Sequence, residues 1–315
     1  MAATSRVERM TSKATNSTQR SSTTVGKGLA YGFGAYFIWG SFPILIKSLG
    51  FATPFEVVVW RIVFGMLLAV ILLTVTKTWN EFGAVFRDKR KFATLAVCSA
   101  LIFINWQVYV IGVSSNHIVE TSLGYFINPL VTIVLAVLFQ KERLAKLQWV
   151  AVGFGALAVI VLTFDYGQPP WIALTLAISF GFYGLVKSRI GGSITPLTGY
   201  SVETALLVPV AVIQGIAVAS IDGLQIGNSG TWSWLGLVLF GFLTAIPLIL
   251  FGSAAKYLPL SYVGFLQYMT PIIQFITALT VFHEKMPIGN WLGFGLVWVG
   301  LGVLSVHVLR QVRNK

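Results

Sequence analysis

Long apolar runs alternate with short polar breaks from residue 28 almost to the C-terminus. A helix needs roughly 20 apolar residues to cross the hydrocarbon core of a bilayer. The pattern predicts ten such helices, over residues 28–48, 56–76, 92–113, 118–139, 147–164, 170–189, 198–219, 232–254, 260–281 and 288–309. The breaks carry turn-forming residues: Thr53-Pro54, Gly167-Gln168-Pro169-Pro170, Gly191-Gly192-Ser193 and Asp222-Gly223. The connections are too short for a soluble domain. Residues 1–26 are polar and rich in Ser and Thr, carry Arg6, Arg9, Lys13 and Arg20, and lack the apolar core of a signal peptide. They are expected to be a disordered cytoplasmic tail. The expected architecture is an all-α membrane protein: the 1–26 tail, a first five-helix unit over 27–165, a second over 166–310, and a cytoplasmic tail over 311–315.

Composition agrees. Of 315 residues 56% are apolar and 10% charged, with a mean hydropathy of +0.81. A soluble domain is about a quarter charged, so a cytosolic enzyme and a secreted domain are both excluded. A net charge of +12 would suggest nucleic acid in a soluble protein. On the helix map it has another meaning. With the N-terminus inside, all but three of the 22 Lys and Arg lie on the cytoplasmic side; Lys47 and Lys285 lie outside and Arg61 falls within the second segment. That asymmetry orients the chain, with both termini cytoplasmic, and nucleic acid is not an expected partner.

Chemistry-bearing motifs are few. Cys98 is the single cysteine, and His117, His283 and His307 lack ligand spacing, so no metal or cofactor is expected. There is no phosphate-binding loop and no nucleophile elbow, so the chain does not read as an enzyme. Gly293-Phe-Gly295, Gly300-Leu-Gly302, Gly28-x-x-x-Gly32 and Gly289-x-x-x-Gly293 lie in apolar runs and read as helix-packing glycines.

The two halves align at a constant offset of 142 residues: Gly50 with Gly192, Pro129 with Pro271, Glu142 with Glu284, Trp149 with Trp291 and Gly153 with Gly295. Five segments per half is an odd number, so the second half is expected upside down relative to the first. Inverted repeats of this kind are common among secondary transporters. Glu142 and Glu284, on opposite faces, read as carboxylates starting the helices that follow them.

Ionisable side chains within spans are costly and mark function. Arg61 and Glu203 are mates at the same offset, so they could meet across a pseudo-twofold axis. Two readings stay open: a fixed ion pair, or a substrate-binding Arg with a proton-exchanging Glu. His117 and Glu120 share a helix face, either to shuttle a proton or to cap and solvate the outer end. Polar and aromatic residues crowd the third and fourth segments. With Trp39 of the first segment and the pair before Pro271, they give an expected substrate cavity lined by Trp39, Arg61, Asn105, Trp106, Tyr109, Tyr125, Asn128, Gln267 and Tyr268. Pro129, Pro247 and Pro271 are expected hinges.

These residues carry a resemblance. AYFIWG at 35–40, NW at 105–106, Asn116-His117 followed by Glu120, SLGYFINPL at 122–130, FYGL at 182–185, Glu203-Thr204 with LLVPVA to 211, and GFLQY at 264–268 with Pro271 are similar to the RarD-like permeases. Those form the chloramphenicol-sensitive protein group of the EamA-type drug/metabolite transporter superfamily. The resemblance covers roughly residues 27–309. It implies ten helices in an inverted five-plus-five repeat, the bacterial cytoplasmic membrane, and export of a small molecule. One departure is Trp60, where that group's pattern places His before the Arg. The expected function is a secondary transporter working by alternating access, with exchange for protons as its expected coupling. The expected partners are a small-molecule substrate and the lipid bilayer, and a homodimer stays open. The alternative is a non-transporting scaffold or sensor, which a dry interface between the halves would favour.

Overall fold

The computed structural model describes residues 26–141, 145–190, 193–228, 230–257 and 266–313. The N-terminal tail, Glu142 and Gly192 lie outside them. The helices are α1 (Gly26–Ser48), α2 (Pro54–Thr76), α3 (Trp79–Arg87), α4 (Lys89–Ser114), α5 (Ile118–Gln140), α6 (Lys146–Tyr166), α7 (Trp171–Ser188), α8 (Pro196–Ile221), α9 (Thr231–Tyr257), α10 (Met269–Thr280) and α11 (Ile288–Arg313). Among the described residues, eight helices are long and apolar enough to cross a membrane, and Trp234–Leu248 and Met269–Thr280 are shorter apolar helices. Their outward faces are apolar: Phe164, Ile221 and Ile288 are 83%, 80% and 79% exposed. Side chains of that kind belong in hydrocarbon rather than water.

Local chemistry sets the helix ends. Thr53 accepts the Glu56 amide at 3.2 Å, and Thr195 accepts the Thr198 amide at 3.3 Å. Each Thr is followed by a proline in the first helical position, where a missing N–H costs nothing. Asp88 accepts the amides of Arg90 and Lys91 and starts α4. In α1 the hydroxyl and the amide of Ser41 both donate to the Phe37 carbonyl at 2.9 Å, producing a turn just before Pro43. The short helix α3 occupies what the sequence pattern leaves as a loop. Its Trp79, Phe82 and Phe86 fall at helical spacing and pack in series, edge-on at 5.6 Å and tilted at 5.2 Å between ring centres.

Helix starts recur at the offset seen in the sequence. Pro54 and Pro196, Lys89 and Thr231, and Lys146 and Ile288 each begin a helix and are each 142 residues apart. Packing follows the same correspondence. The offset-related helices α2 and α8 pack on each other, as do α6 and α11, and α4 lies on α8 as α9 lies on α2. Close packing of α6 on α11 needs Gly293, where a Cβ would fall 2.5 Å from Leu162; Gly295 and Gly302 have open space beside them instead. One continuous core of buried residues runs through both halves, from Phe42 to Leu304.

Candidate functional site

The end of the bundle where α1 stops and α2 starts is called the first face, and the opposite end the second. Following the chain, α4, α6 and α8 start at the second face, and α5, α7, α9 and α11 at the first.

Arg61 lies seven residues past Pro54 in α2, about 10 Å below the first face at 1.5 Å per residue. It is 5% exposed. Its guanidinium stands over the ring of Trp106 at 4.2 Å, Phe240 at 5.0 Å and Phe42 at 5.7 Å. Its Nε and Nη1 have no hydrogen-bond partner, and no carboxylate pairs with it among the described residues. The ionisable groups around it are the phenols of Tyr125, Tyr200 and Tyr109. Tyr200 sits against Gly65, where a Cβ would come 2.6 Å from the hydroxyl. The Tyr200 hydroxyl, Ser201 Oγ and Thr204 Oγ1 are buried, with no partner beyond the contact of the Tyr200 and Thr204 hydroxyls with each other.

Arg61 and Glu203 do not pair. Glu203 stands seven residues past Pro196, so it is as far below the second face as Arg61 is below the first. Helices entering from opposite faces hold mated residues at mirrored depths, which puts the two charges about 10 Å apart along the bundle. Glu203 instead accepts from Lys187 and from the Tyr183 hydroxyl at 3.1 Å. Ser99 donates to its backbone carbonyl at 3.2 Å.

The polar cluster of α4 and α5 is turned mainly onto α7. Asn105 donates to the Leu176 carbonyl and to Ser179, both at 3.1 Å, and accepts from Tyr125 at 3.2 Å. Asn128 donates to the Ala177 carbonyl at 3.1 Å. Tyr109 stacks edge-on with Tyr125 and accepts from Gln274 at 2.9 Å. Gln274 also reaches the Trp39 carbonyl at 3.4 Å, while the Trp39 ring packs on Tyr36 and Phe251. The expected lining residue Gln267 is exposed, in the turn before α10, and Tyr268 beside it is half-buried. Gln274, seven residues on and within α10, takes the inward place. Pro271 falls in the first turn of α10, where no intrahelical bond is lost; it starts a helix rather than bending one. Pro129 and Pro247 lie inside α5 and α9, and Pro209 inside α8.

Three carboxylates fasten the first face. Glu284 accepts the amides of Ile118 and Val119 at 2.7 and 2.8 Å. It therefore caps α5 and not the helix that follows it in the chain, contrary to the sequence expectation. Glu120 accepts the amides of Ile172 and Ala173 at 3.0 and 3.4 Å, capping α7. Glu56 accepts the amides of Gln225 and Ile226 at 2.9 Å, and the Trp60 indole at 3.1 Å. His117 is exposed beside this array, and Lys47 reaches Asn116 and the Ser114 carbonyl. At the second face Glu81 accepts from Thr195 and Thr198 at 3.1 Å. A cavity of about 420 Å³ opens at the first face, lined by Lys47, Thr53, Pro54, Ser114 and Ser115 among others. Its lining does not include Arg61, Asn105, Tyr125 or Gln267; it is a vestibule at the face from which α2 carries Arg61 inward.

Residues 26–164, and again residues 170–306, match the EamA-like transporter family. The chain belongs to that family. It is 41% identical over 289 residues to Protein RarD of Streptomyces exfoliatus, covering 91% of this chain and 90% of that protein. It is 36% identical to Protein RarD of Escherichia coli (strain K12), covering 91% and 97%, and 38% identical to the uncharacterized transporter YojE of Bacillus subtilis (strain 168), covering 91% and 96%. A solved crystal structure superposes with a TM-score of 0.58 at 16% identity, covering 91% of this chain and 99% of that one, a likeness of fold. The EamA-like match falls once on each half, on either side of the α6–α7 connection. With its apolar outer faces, this EamA-like chain is a multi-pass membrane protein.

Proposed function

We propose that this chain is a secondary transporter that moves a small molecule across the bacterial cytoplasmic membrane by alternating access. Its ten crossings form two inverted five-helix halves, with both termini cytoplasmic, the first face outside and the second inside. The coincident helix starts, the twofold family match and the sidedness of Lys and Arg support that layout. The relatives' naming as transporters supports the activity. The observation that carries it is Arg61: a buried guanidinium with unpartnered donors, at the crossing of α2 with α4, α8 and α9. A buried, uncompensated charge costs several kcal/mol, which a purely structural design would avoid by pairing it.

Alternating access asks that each face open in turn. Opening the first face breaks the Glu284, Glu120 or Lys47 contacts; opening the second breaks Glu81 from Thr195 and Lys187 from Glu203. Glu120 is committed to capping α7, so Glu203, held by movable side chains, is the better proton carrier. Export in exchange for protons is the favoured form. The close packing around Arg61 favours one other reading, a non-transporting scaffold. Reconstitution in proteoliposomes with an imposed pH gradient separates them. Substrate-dependent flux from a broad metabolite and drug panel is expected, and folded protein that moves none of it would overturn the transport reading.

A further inference from the structure

We infer that the molecule carried is an organic anion with a flat apolar body, its acidic group bound by Arg61 and its body set against Trp106 and Phe240. This rests on the transport reading and names the substrate class for it. Three ring faces hold the guanidinium at 4.2, 5.0 and 5.7 Å. Cation–π contact is attractive, but a ring face is a much weaker acceptor for an N–H than an oxygen. Nε and Nη1 therefore each call for an acceptor, and an oxyanion is the strongest one a guanidinium takes.

Two further observations point the same way. The Tyr200 and Thr204 hydroxyls on the neighbouring stretch of α8 have no partner but each other, which leaves the Tyr200 proton free to donate to an anion. The carboxylates Glu56 and Glu120 leave Arg61 unpaired, since Glu56 is held by three N–H donors and Glu120 by the α7 amides. The vestibule above carries Lys47, which faces Asn116 and has Glu284 nearby. The Glu284 oxygens are in turn taken up by the α5 amides. Lys47 at the vestibule and Arg61 about 10 Å below the same face are both cations.

The test uses one ring with three charges. Benzoate, benzamide and benzamidine are presented to the purified full chain, and binding is read from the shift in melting temperature with concentration. Benzoate is expected to bind at least about tenfold more tightly than benzamide, and Arg61→Gln to abolish the difference. Wild-type protein alone gives the charge comparison, so the result stands even where Arg61→Gln folds poorly; Arg61→Lys should retain the preference more weakly. Equal binding of benzamide or benzamidine, or a benzoate preference unchanged in Arg61→Gln, would overturn the proposal, as would no binding by any of the three. Flux is measured beside it, with matched carboxylates, amides and amines in proteoliposomes. Flux of amides or amines equal in wild type and Arg61→Gln would leave transport standing and remove the anion. Arg61-dependent benzoate binding without any flux would keep the anion site and remove transport.

Discussion

Glu284 and Ile118 are 166 positions apart in the chain and joined by a hydrogen bond of 2.7 Å. The loop before α11 thus supplies the cap of α5, and a carboxylate of one half closes a helix of the other. Removing it leaves two amides at a helix start without an acceptor. Glu284→Ala is expected to cost about 1–3 kcal/mol, read as a lowered melting temperature in detergent; Glu284→Gln, with one acceptor oxygen, should fall between.

The same residue gives a pH dependence. Glu284 lies between spans, and burial raises its carboxyl above the ordinary 4.5 while the Val119 and Ile118 amides, then His117 and Lys47, pull it back. The folded protein thus binds this proton more tightly than the unfolded chain. Stability from this group is full below 4.5 and is lost as pH rises through the raised value. The melting temperature of wild type should therefore decline relative to Glu284→Gln over that interval. A difference that stays flat with pH would remove the assignment.

Lys187 and Glu203 form a pair that is 29% and 7% exposed. Breaking it by Lys187→Met or Glu203→Gln alone is expected to cost about 1–3 kcal/mol, less than a fully buried pair because Lys187 keeps some water. The double change should recover part of that loss, measured as a double-mutant unfolding cycle. For transport, Glu203→Gln should lose pH-gradient-driven flux. Full drive in that variant would exclude Glu203 as the proton carrier.

Gly65 gives Tyr200 its place. Gly65→Ala would set a methyl 2.6 Å from the hydroxyl and is expected to cost about 1–3 kcal/mol. Adding Tyr200→Phe removes the clashing oxygen, so the double variant should melt higher than Gly65→Ala alone. No recovery would mean that the helix backbones, rather than the phenol, set the α2–α8 distance.

Much of this was legible in the sequence. Apolar run length located nine of the ten helices to within four residues, because hydrocarbon thickness fixes it; the ninth, expected over 260–281, is helical over Met269–Thr280 and its expected start lies outside the described residues. The offset of 142 was legible in Pro129, Glu284 and Trp291, and it recurs in the starts of three helix pairs. Partners were not legible. A carboxylate in a turn does not say which helix start it faces, so Glu284 read as the cap of its own helix. A pairing of Arg61 with Glu203 was one of two open readings, since mated positions can meet across a twofold axis, whereas inversion mirrors their depths. A sharper signal was available in Lys187, which ends one apolar segment on the face from which Glu203 descends. Gln267 and Gln274 stand at helical spacing in the expected 260–281 segment, so periodicity alone could not tell that α10 starts after Gln267. Helix α3 is short and half polar, below the length that a search for spans detects.

Thr53-Pro54 and Thr195-Pro196 are expected to lose about 1 kcal/mol each on Thr→Ala, and Thr195→Ala more, because its hydroxyl also donates to Glu81. Their consequence reaches past stability. A helix advances about 1.5 Å and turns about 100° per residue. Were α2 to begin one residue later in the chain, Arg61 would rise by that step and swing away from the Trp106 ring. Each Thr-Pro start is therefore a depth gauge: it zeroes the count from the membrane surface, and seven residues on, the gauge reads the same in both halves. A charge can be replaced in one mutation, but moving it up or down the path means resetting the gauge.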